Sequence, residues 1–244
     1  MREYLEDEDA SEEGVNVPDY SVISPGAPRL LRPVMEATKA ELLVGIPPRP
    51  VVDQLVKRWF DAKEPGAVCI HTPTFMKEYD RFWKEPRLAS PAWLSILYCM
   101  IWLGTAFFTR LGQAPPSDTP ADPASSLDFY MTRCVQGLLV SDYTVPGKYK
   151  LEALLMYFGC EYLGYRDAQV GLSFLSSIIV KTALHMGLHR DPKHFPHLTP
   201  FEGEMRRRIW AILTQLETLV AFQVGLPRTI HECCLLYTSD AADE

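Results

Sequence analysis

The sequence predicts an all-α fold, an irregular bundle of six to eight helices. Every long periodic segment repeats its apolar residues at three- and four-residue spacing, and Ser/Thr-Pro starts and glycine stops punctuate them. No pair of alternating strands, no Asn-Gly hairpin and no internal repeat competes with that pattern. With 244 residues, 47% of them hydrophobic and 23% charged, the chain suits one domain with an ample core.

The elements follow in order. Residues 1–20 are acidic and poor in apolar groups, so they are expected to be disordered. Residues 21–50 carry Pro25, Pro28, Pro33, Pro47, Pro48 and Pro50, which allow a helix only around 34–44. Residues 1–49 therefore read as an acidic, proline-rich linker and 50–233 as the folded domain. From Pro50, Val52, Leu55, Val56, Trp59 and Phe60 mark one helical face. Thr72 is expected to cap the next helix, with Pro73 at its first position and Phe75, Tyr79 and Phe82 aligned behind it.

Ser90 and Pro91 open an apolar helix, and residues 92–108 contain no charge. A bilayer needs about 20 such residues, so this segment reads as a buried core helix rather than a membrane span. Residues 111–126 hold four prolines and no apolar period, as a surface loop does. Helices are expected over 128–140 and 148–164, the latter with Leu154, Leu155, Tyr157, Phe158 and Tyr162 on its apolar face. A further one begins near 168, with a stripe of Leu172, Leu175, Ile178, Ile179, Thr182 and Met186.

The net charge of −7 is unevenly spread, because residues 1–19 hold eight acids against Arg2 and the remainder is neutral. A neutral body offers no electrostatic footprint for phosphate backbones, which argues against nucleic-acid binding by this segment itself. Of the six cysteines, Cys69, Cys99, Cys134 and Cys160 sit in apolar stretches, and no C-x2-C pair occurs. They read as buried thiols of a reducing compartment, not as a zinc or redox site. Residues 234–244, CLLYTSDAADE, resemble the translation of a sequencing-library adapter. Native sequence is then expected to end near Cys233, leaving the bundle incomplete at its C-terminus and the isolated chain poorly soluble.

Residues 183–230 carry the densest information. Gly187 is expected to end its helix in the left-handed conformation, with Leu188 folding back onto the last turn. His185 and His189 are four apart, as a zinc pair on a helix would be, but Gly187 lies between them and Asp191 precedes Pro192. His194 and His197 complete a histidine-rich loop without the H-E-x-x-H pattern. His189-Arg190-Asp191 also spells the kinase catalytic triplet, yet the position five residues after the aspartate is Pro196, not asparagine.

Thr199 and Glu202 have the spacing of a capping box. The helix they open is expected to carry an apolar stripe of Phe201, Met205, Ile209, Ile212, Leu216 and Leu219, to pair Glu204 with Arg208, and to stop at Gly225 before Pro227. Arg206, Arg207 and Arg208 fan over roughly 200° of the helix, so at least one must lie along the packed edge and find a fixed partner. Asp191 and the carbonyls around Gly187 are the candidates, and Arg206 or Arg207 is expected to tie the long helix to the H-R-D-P loop.

In combination these motifs resemble the regulatory, or middle homology, domain of fungal binuclear zinc-cluster transcription factors. The resemblance rests on His71, Pro73, Thr74 and Phe75 of an H-x-P-T-F motif, with Tyr79 and Phe82 following. It rests further on His185 to Pro192 with His189, Arg190 and Asp191, on the helix from Phe201 to Trp210, and on Gly225-Leu226-Pro227. It implies a non-catalytic regulatory domain of a nuclear factor controlling RNA polymerase II transcription. Zinc and DNA would be bound only by a six-cysteine cluster that this sequence lacks. The partner implied for the domain itself is a small-molecule effector or a co-regulator protein, with no cofactor, catalytic residue or metal ligand in this chain. Two other readings remain: an all-α enzyme using the histidine-rich loop 185–197, and a stand-alone adaptor. An effector site would be an apolar pocket lined by Trp, Phe and Tyr with few polar anchors.

Overall fold

The computed structural model describes residues 27–63, 65–113, 116, 123–164 and 170–231. The expectations for the acidic start, for the tail after Cys233 and for half of the loop 111–126 lie outside them. The described residues form eight α-helices and no strand. They are α1 (Lys39–Val44), α2 (Arg49–Asp61), α3 (Thr72–Lys84), α4 (Pro91–Arg110), α5 (Pro123–Val140), α6 (Lys150–Gly164), α7 (Val170–His185) and α8 (Pro200–Val224).

The apolar helix α4 forms the centre of the bundle. Every residue from Ala92 to Phe107 is buried, and α2, α5 and α6 pack around it. By length and composition it could cross a membrane, but here its apolar surface is covered by neighbouring helices. Ser90 starts it as expected, its hydroxyl accepting the Trp93 amide at 3.2 Å. Two small residues let the neighbours come close. A Cβ at Gly104 would lie 2.5 Å from the Leu55 carbonyl oxygen, so α2 crosses α4 where no side chain intervenes. Ser95 donates to the Cys134 carbonyl on α5 at 3.0 Å, satisfying a polar group that is otherwise sealed in the core.

The apolar faces expected of α2, α3 and α6 are buried at Val52, Leu55, Val56, Trp59, Phe75, Tyr79, Phe82, Leu154, Leu155, Tyr157 and Phe158. Cys69, Cys99, Cys134 and Cys160 are buried and form no disulfide. Burial pushes their thiols to higher pKa, which keeps them protonated.

Boundaries differ from the sequence reading in four places. The first helix starts at Lys39 rather than near 34, because Thr38 and Glu41 form a capping box there. Helix α3 begins at Thr72, one residue before its Pro73, so His71 rather than Thr72 is the N-cap. Helix α5 begins at Pro123, a residue tolerated in the first turn, and so absorbs the end of the supposed loop. Helix α6 starts at Lys150 because Tyr149 adopts a left-handed φ of 67°.

Part of the segment read as linker belongs to the core. Leu30 and Leu42 are buried in the same apolar cluster as α4. The buried Glu161 carboxylate accepts the Arg29 amide at 2.9 Å and the Tyr157 hydroxyl, while that hydroxyl accepts the Leu30 amide at 2.9 Å. A carboxylate inside α6 thus clamps the turn Arg29–Leu31 onto the bundle.

Candidate functional site

The site is built where α7 ends and α8 begins. Gly187 adopts φ +69°, and the amides of Gly187 and Leu188 bond back to the carbonyls of Leu184 (2.9 Å) and Ala183 (3.0 Å). These are the two bonds of a Schellman ending, and Leu188 is buried beneath them. The chain then turns through His189 and Arg190 to Asp191, whose carboxylate accepts the Lys193 amide at 3.0 Å and so starts the short turn Pro192–His194. Pro192 is buried against Gly203 of α8. At Thr199 the capping box is complete: the Glu202 carboxylate accepts the Thr199 amide at 2.9 Å and the Thr199 hydroxyl accepts the Glu202 amide at 3.2 Å.

The three arginines take three different partners. Arg206 donates to the Met186 carbonyl at 2.6 Å and stacks its guanidinium 5.2 Å from the Phe195 ring centroid. Arg207 pairs with Asp191 at 3.0 Å, and Arg208 with Glu204 at 2.8 Å one turn away. Arg206 therefore reaches the last turn of α7, Arg207 reaches the loop, and Arg208 stays on its own exposed helix face. The Lys193 amide first, and Arg207 after it, hold the Asp191 carboxyl below its ordinary pKa. Burial lowers that of Arg206.

The histidines are dispersed. His185 is exposed at the end of α7, while His189 packs 6.2 Å from the Trp210 ring and has its pKa lowered by burial and then by Arg190. Among the described residues no group of three or more His, Cys, Asp or Glu is placed to hold a metal ion.

The early motif meets the late one. His71 lies edge-on to Phe201 with ring centroids 4.6 Å apart, and its Nδ1 is 2.7 Å from the Thr74 hydroxyl. Pro73 occupies the first turn of α3, and Phe75 stacks on Trp93 of α4 at 5.6 Å. Beyond α8, Gly225 is left-handed as a C-cap, and Pro227 is exposed.

Two cavities flank α8. One of about 480 Å³ is lined from α3, α4, α6 and α8, and it includes His71, Phe75 and Arg206. The other, of about 290 Å³, is lined by Trp59, Phe158, Tyr162, Ile212, Leu216 and Leu219 among others. This corrects the apolar stripe expected on α8. The face buried in the core runs through Ile209, Trp210, Leu213, Glu217, Val220 and Ala221, while Phe201 and Leu219 are each 45% exposed. Phe201, Met205 and Ile209 wall the larger cavity, and Ile212, Leu216 and Leu219 wall the smaller.

Sequence reasoning missed Glu217, Glu152 and Trp93. Glu217 is buried and accepts the Thr229 amide, with Arg228 at 3.9 Å, so it fastens the segment after Gly225 back onto α8. The signal was present, since this carboxylate stands between Leu213 and Ala221 in one i, i+4 row. Glu152 and Trp93, both on walls of the larger cavity, carried no motif to mark them.

Residues 57–240 match the family described as the fungal specific transcription factor domain. The chain belongs to this family. The fungal specific transcription factor domain described here is 42% identical over 195 residues to the Zn(2)-C6 fungal-type transcription factor pigI of Monascus ruber, covering 80% of this chain and 23% of that protein. It is 36% identical over 244 residues to the equisetin cluster transcription factor eqxF of Fusarium heterosporum, covering 94% of this chain and 34% of the relative. Identity to the Zn(2)-C6 fungal-type transcription factor mpsB of Macrophomina phaseolina is 38% over 195 residues, or 80% of this chain and 26% of that protein. The chain thus spans between 23% and 34% of the length of these relatives. No solved structure matches it.

Proposed function

We propose that this chain is the regulatory module of a Zn(2)-C6 transcription factor, acting in the nucleus on RNA polymerase II transcription and having no catalytic role. The observation that carries the reading is the junction itself. The H-R-D-P and R-R-R motifs are joined by Arg206–Met186 and Arg207–Asp191 contacts, and the H-x-P-T-F motif closes on the same helix through His71 and Phe201. Such an arrangement fixes the relative position of α7 and α8, as a structural junction within a regulatory module would. Contact with DNA, and with zinc, is assigned to a six-cysteine cluster of the whole factor. Its relatives eqxF and fsa6 are named as transcription factors of the equisetin and fusarisetin A clusters, which supports a regulator dedicated to one gene cluster. The partner of the module is proposed to be a small-molecule effector.

The test is deletion of residues 50–233 from the whole gene, reading target transcripts and promoter occupancy together. Altered transcription with retained occupancy is expected. Unchanged transcription at equal protein level would overturn the reading.

A further inference from the structure

We infer that the cavity of about 480 Å³ between α3, α4, α6 and α8 binds a small organic acid: an apolar body carrying one ionised oxygen that meets Arg206 and one hydroxyl or N–H group that meets Glu152. The volume falls within the range of roughly 300–1,000 Å³ found for small-molecule sites. Phe75, Ile96 and Ile209 supply apolar wall on three helices.

The ligand class follows from which polar groups on the wall are already committed. Lys148 is paired with Glu78 at 3.1 Å, the Glu202 carboxylate is spent on the Thr199 capping box, and the His71 ring is 2.7 Å from the Thr74 hydroxyl. Three groups are left. The Nε of Arg206 is buried and meets no acceptor among the described residues, and no carboxylate among them pairs with its guanidinium. The indole N–H of Trp93, a residue 3% exposed, likewise meets no acceptor. Glu152 is partly buried; its carboxylate meets its own backbone amide and feels the Lys148 cation, but forms no salt bridge among the described residues.

A guanidinium with no carboxylate, an N–H with no acceptor and a carboxylate with no salt bridge on one apolar wall are costly unless something answers them. A purely apolar ligand would strand all three groups. An amine would answer Glu152 and leave both donors unmet. An acid with one donor group suits the wall, because its anionic oxygen meets the Arg206 guanidinium while its donor reaches Glu152. The proposal deepens the effector reading above, and rests on it for the consequence in the cell but not for binding itself.

The test titrates the purified chain with 8-anilinonaphthalene-1-sulfonate, which combines an anionic group, an N–H and an apolar body. N-phenyl-1-naphthylamine, the same body without the sulfonate, serves as the neutral comparison. One saturable site per chain is expected, with the sulfonate bound at least about tenfold tighter. Arg206→Met should abolish that preference, and Glu152→Leu should weaken the sulfonate several-fold while both proteins still melt cooperatively. Equal affinity for the two compounds, or uptake that does not saturate at one per chain, overturns the proposal. Where loss of the Met186 bond prevents Arg206→Met from folding, Glu152→Leu decides, since it removes no bond to another residue. Unchanged sulfonate affinity in that variant overturns the proposal. Saturable, Arg206-dependent binding alongside unaltered transcription on deletion of the domain would uphold the site and sink the regulatory reading.

Discussion

His71 and Phe201 meet edge to face, their ring centroids 4.6 Å apart across 130 residues of sequence, and so join the N-cap of α3 to the first turn of α8. Because Phe201 is 45% exposed, the pair contributes through ring contact more than through burial. A double-mutant cycle of His71→Ala and Phe201→Ala should give a coupling of about 0.5–1 kcal/mol, at the low end for aromatic pairs. Additive losses in chemical denaturation would show that the contact is incidental.

Gly187 provides a sharper test of the α7 ending. A Cβ there would meet Phe195 at 3.4 Å and Arg206 at 3.6 Å, ordinary contact distances, so space is not the obstacle. The cost of Gly187→Ala is the φ of +69° alone, about 1 kcal/mol. Gly187→Asn should cost less, because asparagine tolerates the left-handed region. Equal losses for the two variants would count against this account.

At Gly104 the obstacle is space. Any side chain would drive its Cβ into the Leu55 carbonyl, which is backbone and cannot swing aside. Gly104→Ala is expected to lower stability by about 1–3 kcal/mol as α2 is pushed from α4. A melting temperature unchanged from that of the parent would refute the close crossing.

Asp191 answers two groups at once, the Lys193 amide and the Arg207 guanidinium. Asp191→Asn should cost about 1–2 kcal/mol at neutral pH, and Arg207→Ala should add little on that background. Full additivity of the two losses would separate the residues.

The acid response has a definite sign. Asp191 and Glu202 have pKa values lowered in the folded state, chiefly by backbone amides, so the unfolded chain takes up protons first as pH falls. Their contribution is complete above the unfolded-state values of about 4 and is lost as pH drops through the lower native ones. The stability gap between the parent and Asp191→Asn should therefore begin to narrow as pH falls below about 4. Glu152 works the other way, because burial raises its pKa and penalises its charge at neutral pH. Glu152→Gln should raise the melting temperature there, and a constant Asp191 gap down to pH 3 would contradict the scheme.

The helical pattern was legible because periodicity reports which face is apolar. Caps were legible where two residue types had to agree, as at Thr199 with Glu202 or Gly187 with Leu188. Positions set by tertiary contact were not. A periodic reading cannot tell a helix face buried in the core from one that lines a cavity, which is why Phe201 and Leu219 were expected inside. The partners of Arg206 and Arg207 could be narrowed to Asp191 and the Gly187 region because only a few residues separate the motifs. Glu161 and the turn Arg29–Leu31 are over 130 residues apart, and nothing local in either announces the other.

One 25-residue helix, about 37 Å long, walls both cavities with successive turns of the same stripe. A rod of that kind cannot tilt at one end without moving at the other. The two cavities thus share one wall element, and a shift of α8 beside one of them would displace side chains that line the other.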